Sequence, residues 1–329
     1  MTATPPIQLG AVNGALLPPI VTGPIFAKTI EQSALMSLGR KVPLALDVNT
    51  NIPIPGDVPL ADFVDEAGRK PLGGGTVGYK TMQGKKLAVL VPVSEEVART
   101  NPAGLYEQLQ NDLPTALARA FDFAGIHGVT LRSGAASPFA DHLSATTNSV
   151  VLGTATQSKG GMWADLVAGE QLITDADWDF SGFLADKRLR PTLKLQTDVN
   201  GRPIFLEDRL LSTQGSPAAG PVSAALTGDL IGYPAAFSSA VSGKMRRQST
   251  TSDSGLRAIG GDFSQVAFGV GMNINIKVSN EATYVDEDGG VHSAFQENLV
   301  LLLAEAYFGL VIAETAAFVK YVNNACVTS

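Results

Sequence analysis

The sequence predicts an α+β fold, on three observations. Leu105, Leu109, Leu113, Leu117 and Phe121 recur every four residues, the spacing that lays one apolar face along a helix. Val266, Phe268 and Val270 alternate with small residues, while Ile274, Ile276 and Val278 alternate with Asn275, Lys277 and Ser279. That period of two marks half-buried strands. The chain then runs into a long apolar tail, Leu299–Phe318.

Composition narrows the class further. At 329 residues and 45% hydrophobic content the chain can bury a core and form one or two domains. Only 17% of it is charged, against roughly 25% for an ordinary soluble protein. Such a surface suits burial against neighbouring subunits. The alternative is a loose chain, against which the long apolar runs argue. With 34 Gly and 19 Pro, loops and arms are favoured over a tight bundle. The net charge is −7 and no Lys/Arg block exceeds Arg246-Arg247, so the sequence shows no cationic stripe for strong nucleic-acid binding. The single Cys326 excludes an intrachain disulfide framework and fits a reducing cytoplasm. No signal peptide is evident at Met1. No membrane segment is expected, because Leu299–Ala313 is interrupted by Glu305 and falls short of the roughly 20 residues a spanning helix needs.

In chain order, residues 1–45 read as an extended arm. Pro5-Pro6, Pro18-Pro19 and Pro24 deny regular structure. A disordered tail is the other reading; Leu9, Leu16, Leu17, Ile20, Ile25 and Phe26 favour an arm packed on a neighbour. Residues 50–95 read as a two-stranded excursion. It runs from Phe63-Val64 through Arg69-Lys70 and the turn Gly73-Gly-Gly75 to a return strand, Lys86–Val93. No Lys-Ser/Thr follows the glycines, so they do not form a phosphate cradle.

Ser94-Glu95-Glu96 and Asn101-Pro102 are helix-start signals. The Leu105–Phe121 face should form a long helix that kinks or restarts at Pro114, which lacks the N–H for the bond to residue 110. Residues 132–160 read as surface loop. Ala164–Ile173 and Leu189–Lys194 read as helices, Asp198–Gly201 as a turn before a strand, and Thr227–Pro234 as a strand. Asp286-Glu-Asp-Gly-Gly290 is a tight polar turn. Leu299–Ala306 reads as a helix, and Val311–Val322 as a strand.

No catalytic chemistry is evident. His127, His142 and His292 lie in separate segments without metal-ligand spacing. Gly-x-Ser-x-Gly is absent, and Cys326 has no local activator. Asp286, Glu287 and Asp288 could attract a hard cation, but a solvated turn is the preferred reading. No metal, cofactor or catalytic residue is assigned, and the chain reads as a non-enzyme.

Five phrases, in order, carry a resemblance: Phe63-Val64-Asp65-Glu66 with the Lys-rich return strand, the long helix, Leu193 through Asp198 to Gly201-Arg202-Pro203, Leu230-Ile-Gly-Tyr-Pro234, and Gly261-Asp262-Phe263 before the last strands. The chain resembles the major capsid proteins of tailed bacteriophages with the Hong Kong 97 phage capsid fold. Ala235 stands where Val is usual, and Leu301–Ala306 lacks an Arg common in the final helix of relatives.

That resemblance implies an N-terminal arm (1–45), an E-loop (46–93), a peripheral domain with a spine helix (94–159), an axial domain (160–257), peripheral strands and helix (258–310) and an axial return strand (311–329). The E-loop would reach over a neighbouring subunit, with Phe63, Val64, Arg69, Lys70, Lys80, Lys85 and Lys86 as its contact residues. The implied function is self-assembly of pentamers and hexamers into an icosahedral shell around double-stranded DNA, held without sequence-specific contact. Implied partners are a separate scaffolding protein, a portal protein and, in some systems, a decoration protein; assembly would take place in the bacterial cytoplasm. An encapsulin-type bacterial nanocompartment shell is the alternative, and an enzyme or monomeric binding protein the distant one. Some relatives crosslink an E-loop Lys to an Asn of a neighbour. Lys80, Lys85, Lys86, Asn323 and Asn324 would be the residues concerned, but lysines on an exposed strand are the ordinary guard against edge pairing.

Overall fold

In the computed structural model, residues 33–44, 49–55, 61–64, 66, 68–70, 72, 77–96, 105–197, 200, 226–244, 253–271, 275–286 and 288–323 are described. Chain order begins with α1 (Ala34–Leu38), β1 (Arg40–Pro43), β2 (Thr50–Pro55), β3 (Val77–Met82), β4 (Lys85–Ser94) and α2 (Leu105–His127). It continues with β5 (Ser149–Leu152), α3 (Met162–Thr174), β6 (Gly182–Ala185), α4 (Leu189–Lys194), β7 (Leu226–Leu230), β8 (Tyr233–Phe237) and β9 (Leu256–Gly261). The last elements are β10 (Val266–Val270), β11 (Asn275–Ser279), β12 (Thr283–Val285), β13 (Val291–Ser293), β14 (Leu299–Ile312) and β15 (Phe318–Asn323).

Two larger sheets share these strands. One has five strands, in the order β1-β10-β14-β11 with β4 also on β14; the other has six, in the order β5-β15-β9-β6-β8-β7. Strand β14 organises the first. Its residues 301–305 pair with both β4 and β11, so those two strands flank it. Leu184 of β6 faces a core shared with α1, α2 and the five-stranded sheet, whereas Phe183 and Ala185 face a second core under α3. The period of two thus puts helices on both faces of the six-stranded sheet. On α2, Leu113, Leu117 and Phe121 are buried at fourfold spacing, with Ala124 one turn further on. The helix is continuous through Pro114 and does not restart there.

The chain passes from one sheet to the other at two adjacent points. β9 leaves the six-stranded sheet at Gly261 and enters the five-stranded one at Val266; β14 leaves at Ile312 and returns as β15. Asp262 N donates to Ala317 O at 3.0 Å and Ala313 N to Gln265 O at 2.9 Å, which ties the crossings together. A Cβ at Gly261 would lie 2.2 Å from Ala317 O, so only glycine allows this approach.

Several expectations change here: Val311–Val322 is divided between the end of β14 and β15, and Thr227–Pro234 is divided between β7 and β8. Leu299–Ala306 is not a helix: it is the first part of the fourteen-residue strand β14. Over Leu299–Ala304 both faces of the strand carry apolar residues although only one is buried along most of its length, and such a continuous apolar run cannot be separated from a buried helix by periodicity alone. The 132–160 loop contains β5, paired in parallel with β15. The strand expected after Asp198 lies outside the described residues, as do Cys326 and the arm before residue 33. Among the described residues no helix is long and apolar enough to cross a membrane.

Candidate assembly interface

β2 and β3 form an antiparallel pair from Thr50↔Met82 to Pro55↔Val77. Its root is fixed. Ile52 and Met82 are buried against Ala267 and Val311, and Met82 fills the space left by Gly269 and Gly309. Lys80 Nζ donates to Ile312 O at 2.7 Å and pairs with Asp141 Oδ2 at 3.1 Å. Away from the root the side chains face outward: Phe63 is 103% exposed, Leu72 102%, Val77 75% and Tyr79 73%. Val64, Arg69 and Lys70 are exposed beside them. Apolar side chains this open gain roughly 1.5–3 kcal/mol each on burial, and nothing within the described residues covers them.

The three lysines sit apart from that exposed group. Lys80 points back to the body. Lys85 Nζ donates to Gln83 Oε1 at 2.9 Å, and Lys86 is ion-paired with Glu305. Glu305 faces Ala88 across β4 and Asn275 across β11. Lys86 and Lys277 therefore reach it as diagonal neighbours from opposite sides, Lys277 Nζ at 3.6 Å. The hydrogen bond from Lys86, then the charge of Lys277, hold the Glu305 carboxyl below the usual carboxylate range. The same bond raises the Lys86 ammonium. A carboxylate so held makes a poor proton acceptor, and a raised ammonium a poor nucleophile.

A second outward element surrounds the turn expected at 286–290, though its exposed apolar side chains escaped the sequence reading. The β12–β13 hairpin exposes Val285 and Val291, with Phe295 just beyond, 76% exposed. His292 clamps it: Nδ1 lies 2.7 Å from Glu297 Oε1 and Nε2 lies 3.1 Å from Asp286 Oδ2. The ring stacks on Tyr284 at 5.1 Å. Hydrogen bonds to Glu297 and Asp286 raise the His292 pKa. Asp286 also accepts from Asp288 N at 3.1 Å and Gly290 N at 2.6 Å, so its oxygens serve the turn. Among the described residues no group of His, Cys, Asp or Glu could hold a metal. The other two histidines belong to the body. His127 Nε2 lies 2.9 Å from Ala240 O, with its pKa lowered by burial, and His142 packs against Gly128.

The start of α1 meets α2 at a buried carboxylate. Asp122 of α2 accepts from Ser33 Oγ at 2.5 Å, Ala34 N at 3.0 Å and Leu35 N at 3.3 Å. Burial pushes its pKa up to about 6, against these three bonds.

Comparison with known proteins places this arrangement. The "Probable major capsid protein gp17" of Mycobacterium phage D29 is 29% identical over 306 residues, covering 91% of this chain and 87% of that protein. The "Major capsid protein" of Staphylococcus phage 80alpha is 25% identical over 308 residues, covering 92% and 83%. A solved chain from Gordonia phage Cozz superposes with a TM-score of 0.70 at 27% identity, covering 89% of this chain and 87% of that one. The mixed α and β fold is thus that of phage capsid chains, and the encapsulin alternative finds no support. The model of the Phage capsid family matches residues 13–323, and with nearly the whole length matched, the chain belongs to that family of structural, non-enzymatic shell proteins.

Proposed function

We propose that the chain is the major capsid protein of a tailed phage, building pentamers and hexamers of an icosahedral head around double-stranded DNA. In this reading the fold is of the Hong Kong 97 type. The five-stranded sheet with α2 is the peripheral domain, and the six-stranded sheet with α3 and α4 is the axial domain. The excursion rooted at β2 and β3 is the E-loop. Assembly takes place in the host cytoplasm on a separate scaffolding protein, with a portal protein at one vertex and a decoration protein where one exists.

The observation that carries the reading is the contrast along the β2–β3 excursion. Its root is locked into the body by Met82 and Lys80, while Phe63, Val64, Leu72, Arg69 and Lys70 face solvent. An apolar arm on a rigid root suits burial on a second subunit.

The test replaces residues 56–76 by a two-residue turn joining Pro55 to Val77, which already face each other. The subunit should keep its circular dichroism and lose shell formation. Normal shells from the shortened chain would contradict the reading.

A further inference from the structure

Two charged clusters lie uncompensated at opposite ends of one short strand. Beyond the C-terminal end of β6, half-buried Lys187 lies among Arg119 of α2 and Arg190 of α4. The Arg190 guanidinium stands 5.3 Å over the Phe237 ring. Burial first, then Arg119 and Arg190, hold the Lys187 ammonium below its usual pKa, against the nearby Asp186. That carboxylate is committed elsewhere: it accepts from Arg188 N at 2.6 Å and Ser242 N at 3.2 Å. Arg188 itself turns to Ser242, Lys244 O and Asp253. Among the described residues, Arg119 and Lys187 have no hydrogen-bonding or ion-pair partner.

At the other end, the turn from α3 into β6 exposes Asp175, Asp177 and Asp179, whose side chains have no partner among the described residues. The turn is tightly made. Trp178 N donates to Ile173 O at 3.1 Å and Asp177 N to Thr174 O at 3.0 Å, with Asp177 at φ 60°, where glycine is the usual closing residue. Carboxylates at a helix C-terminus add to the negative end of its dipole, and α3 has no basic residue in its last turn. The four residues of β6 span about 13 Å and hold the two clusters apart.

We propose that the 175–179 turn of one subunit docks on Arg119, Lys187 and Arg190 of the next, head to tail around a capsomer. The inference rests on the capsid reading above and names the partner as a second copy of this chain. A head-to-tail contact uses two different patches of each copy, and its repetition closes a ring. The cations around Lys187 repel one another in the isolated subunit, and the contact relieves that repulsion while giving the exposed carboxylates a partner. Partial burial of Lys187 strengthens the attraction, because charges interact more strongly where water is excluded. Phosphates of a nucleic acid would suit the cations but leave the three carboxylates without a partner.

The experiment compares three folded chains with the wild type: Lys187→Glu, Asp177→Lys with Asp179→Lys, and all three changes together. Each reversal alone should cut particle yield by at least about tenfold, and the combined chain should recover shells. If Lys187→Glu does not fold, Arg119→Glu reverses the same cluster from α2. Normal shells from either reversal alone would overturn the contact. So would a folded combined chain that forms none, or normal shells of Lys187→Glu that retain less nucleic acid. Wild-type chains that never form shells would instead remove the capsid reading itself.

Discussion

At the scale of single residues, two titratable groups give the fold a pH dependence with opposite physical causes. Asp122 is buried and pushed up to about 6, whereas a carboxyl in an unfolded chain titrates near 3.9. The folded chain therefore holds the extra proton between those values. The contribution of this group to stability is full below about pH 4 and lost as pH rises through 6, on the order of 3 kcal/mol in all. Urea unfolding of free subunits should show the wild type losing stability relative to Asp122→Asn across that window. Parallel profiles would contradict the assignment. His292 is raised by its bonds to Glu297 and Asp286. Its stabilising effect is full below the unfolded value near 6.5 and lost as pH rises through the higher folded value. Hydrogen exchange of residues 283–293, corrected for intrinsic rates, should show protection falling over that interval. His292→Gln should flatten the dependence.

At the scale of elements, the crossing between sheets is the least forgiving point. Gly261 lies where a Cβ would meet Ala317 O and Phe318 Cα, both backbone, so neither can move cheaply. Gly261→Ala should cost about 3 kcal/mol or more, measured by urea unfolding, and a neutral result would mean the two chain passages can separate. Much of this layer was legible in the sequence. Fourfold leucine spacing marked α2, alternation marked β10 and β11, and the run of Asp and Gly marked the 286–290 turn. β14 was not legible as a strand, because apolar residues occupy both of its faces over Leu299–Ala304 and hide the alternation. The clamp around His292 was also hidden, since it depends on Asp286 and Glu297 reaching it from either side of a hairpin. The cluster of Arg119 with Lys187 and Arg190 joins two segments distant in the chain, and neither segment forms a basic stripe. The exposed residues Phe63 and Val64 were picked from the sequence, but the inward commitment of Lys80 to Ile312 and Asp141 was not.

At the scale of the whole molecule, the low charged fraction and the exposed apolar excursion describe a subunit finished by its neighbours. The ion pair of Lys86 with Glu305 and the anchoring of Lys80 leave these lysines engaged within the subunit. Particles boiled in denaturant should therefore run as a single band near 34.3 kDa, the mass of one chain. A ladder that collapses on Lys80→Arg, Lys85→Arg or Lys86→Arg would contradict this. The central claim is that the chain builds a closed shell, and electron microscopy of the protein, expressed alone and with the proposed scaffolding protein, tests it most directly. The expected result is closed icosahedral particles, with the residue 61–72 excursion of each subunit lying on the next and Phe63 and Leu72 covered there. Monodisperse monomers under every condition, or closed shells in which those side chains remain open to solvent, would contradict it.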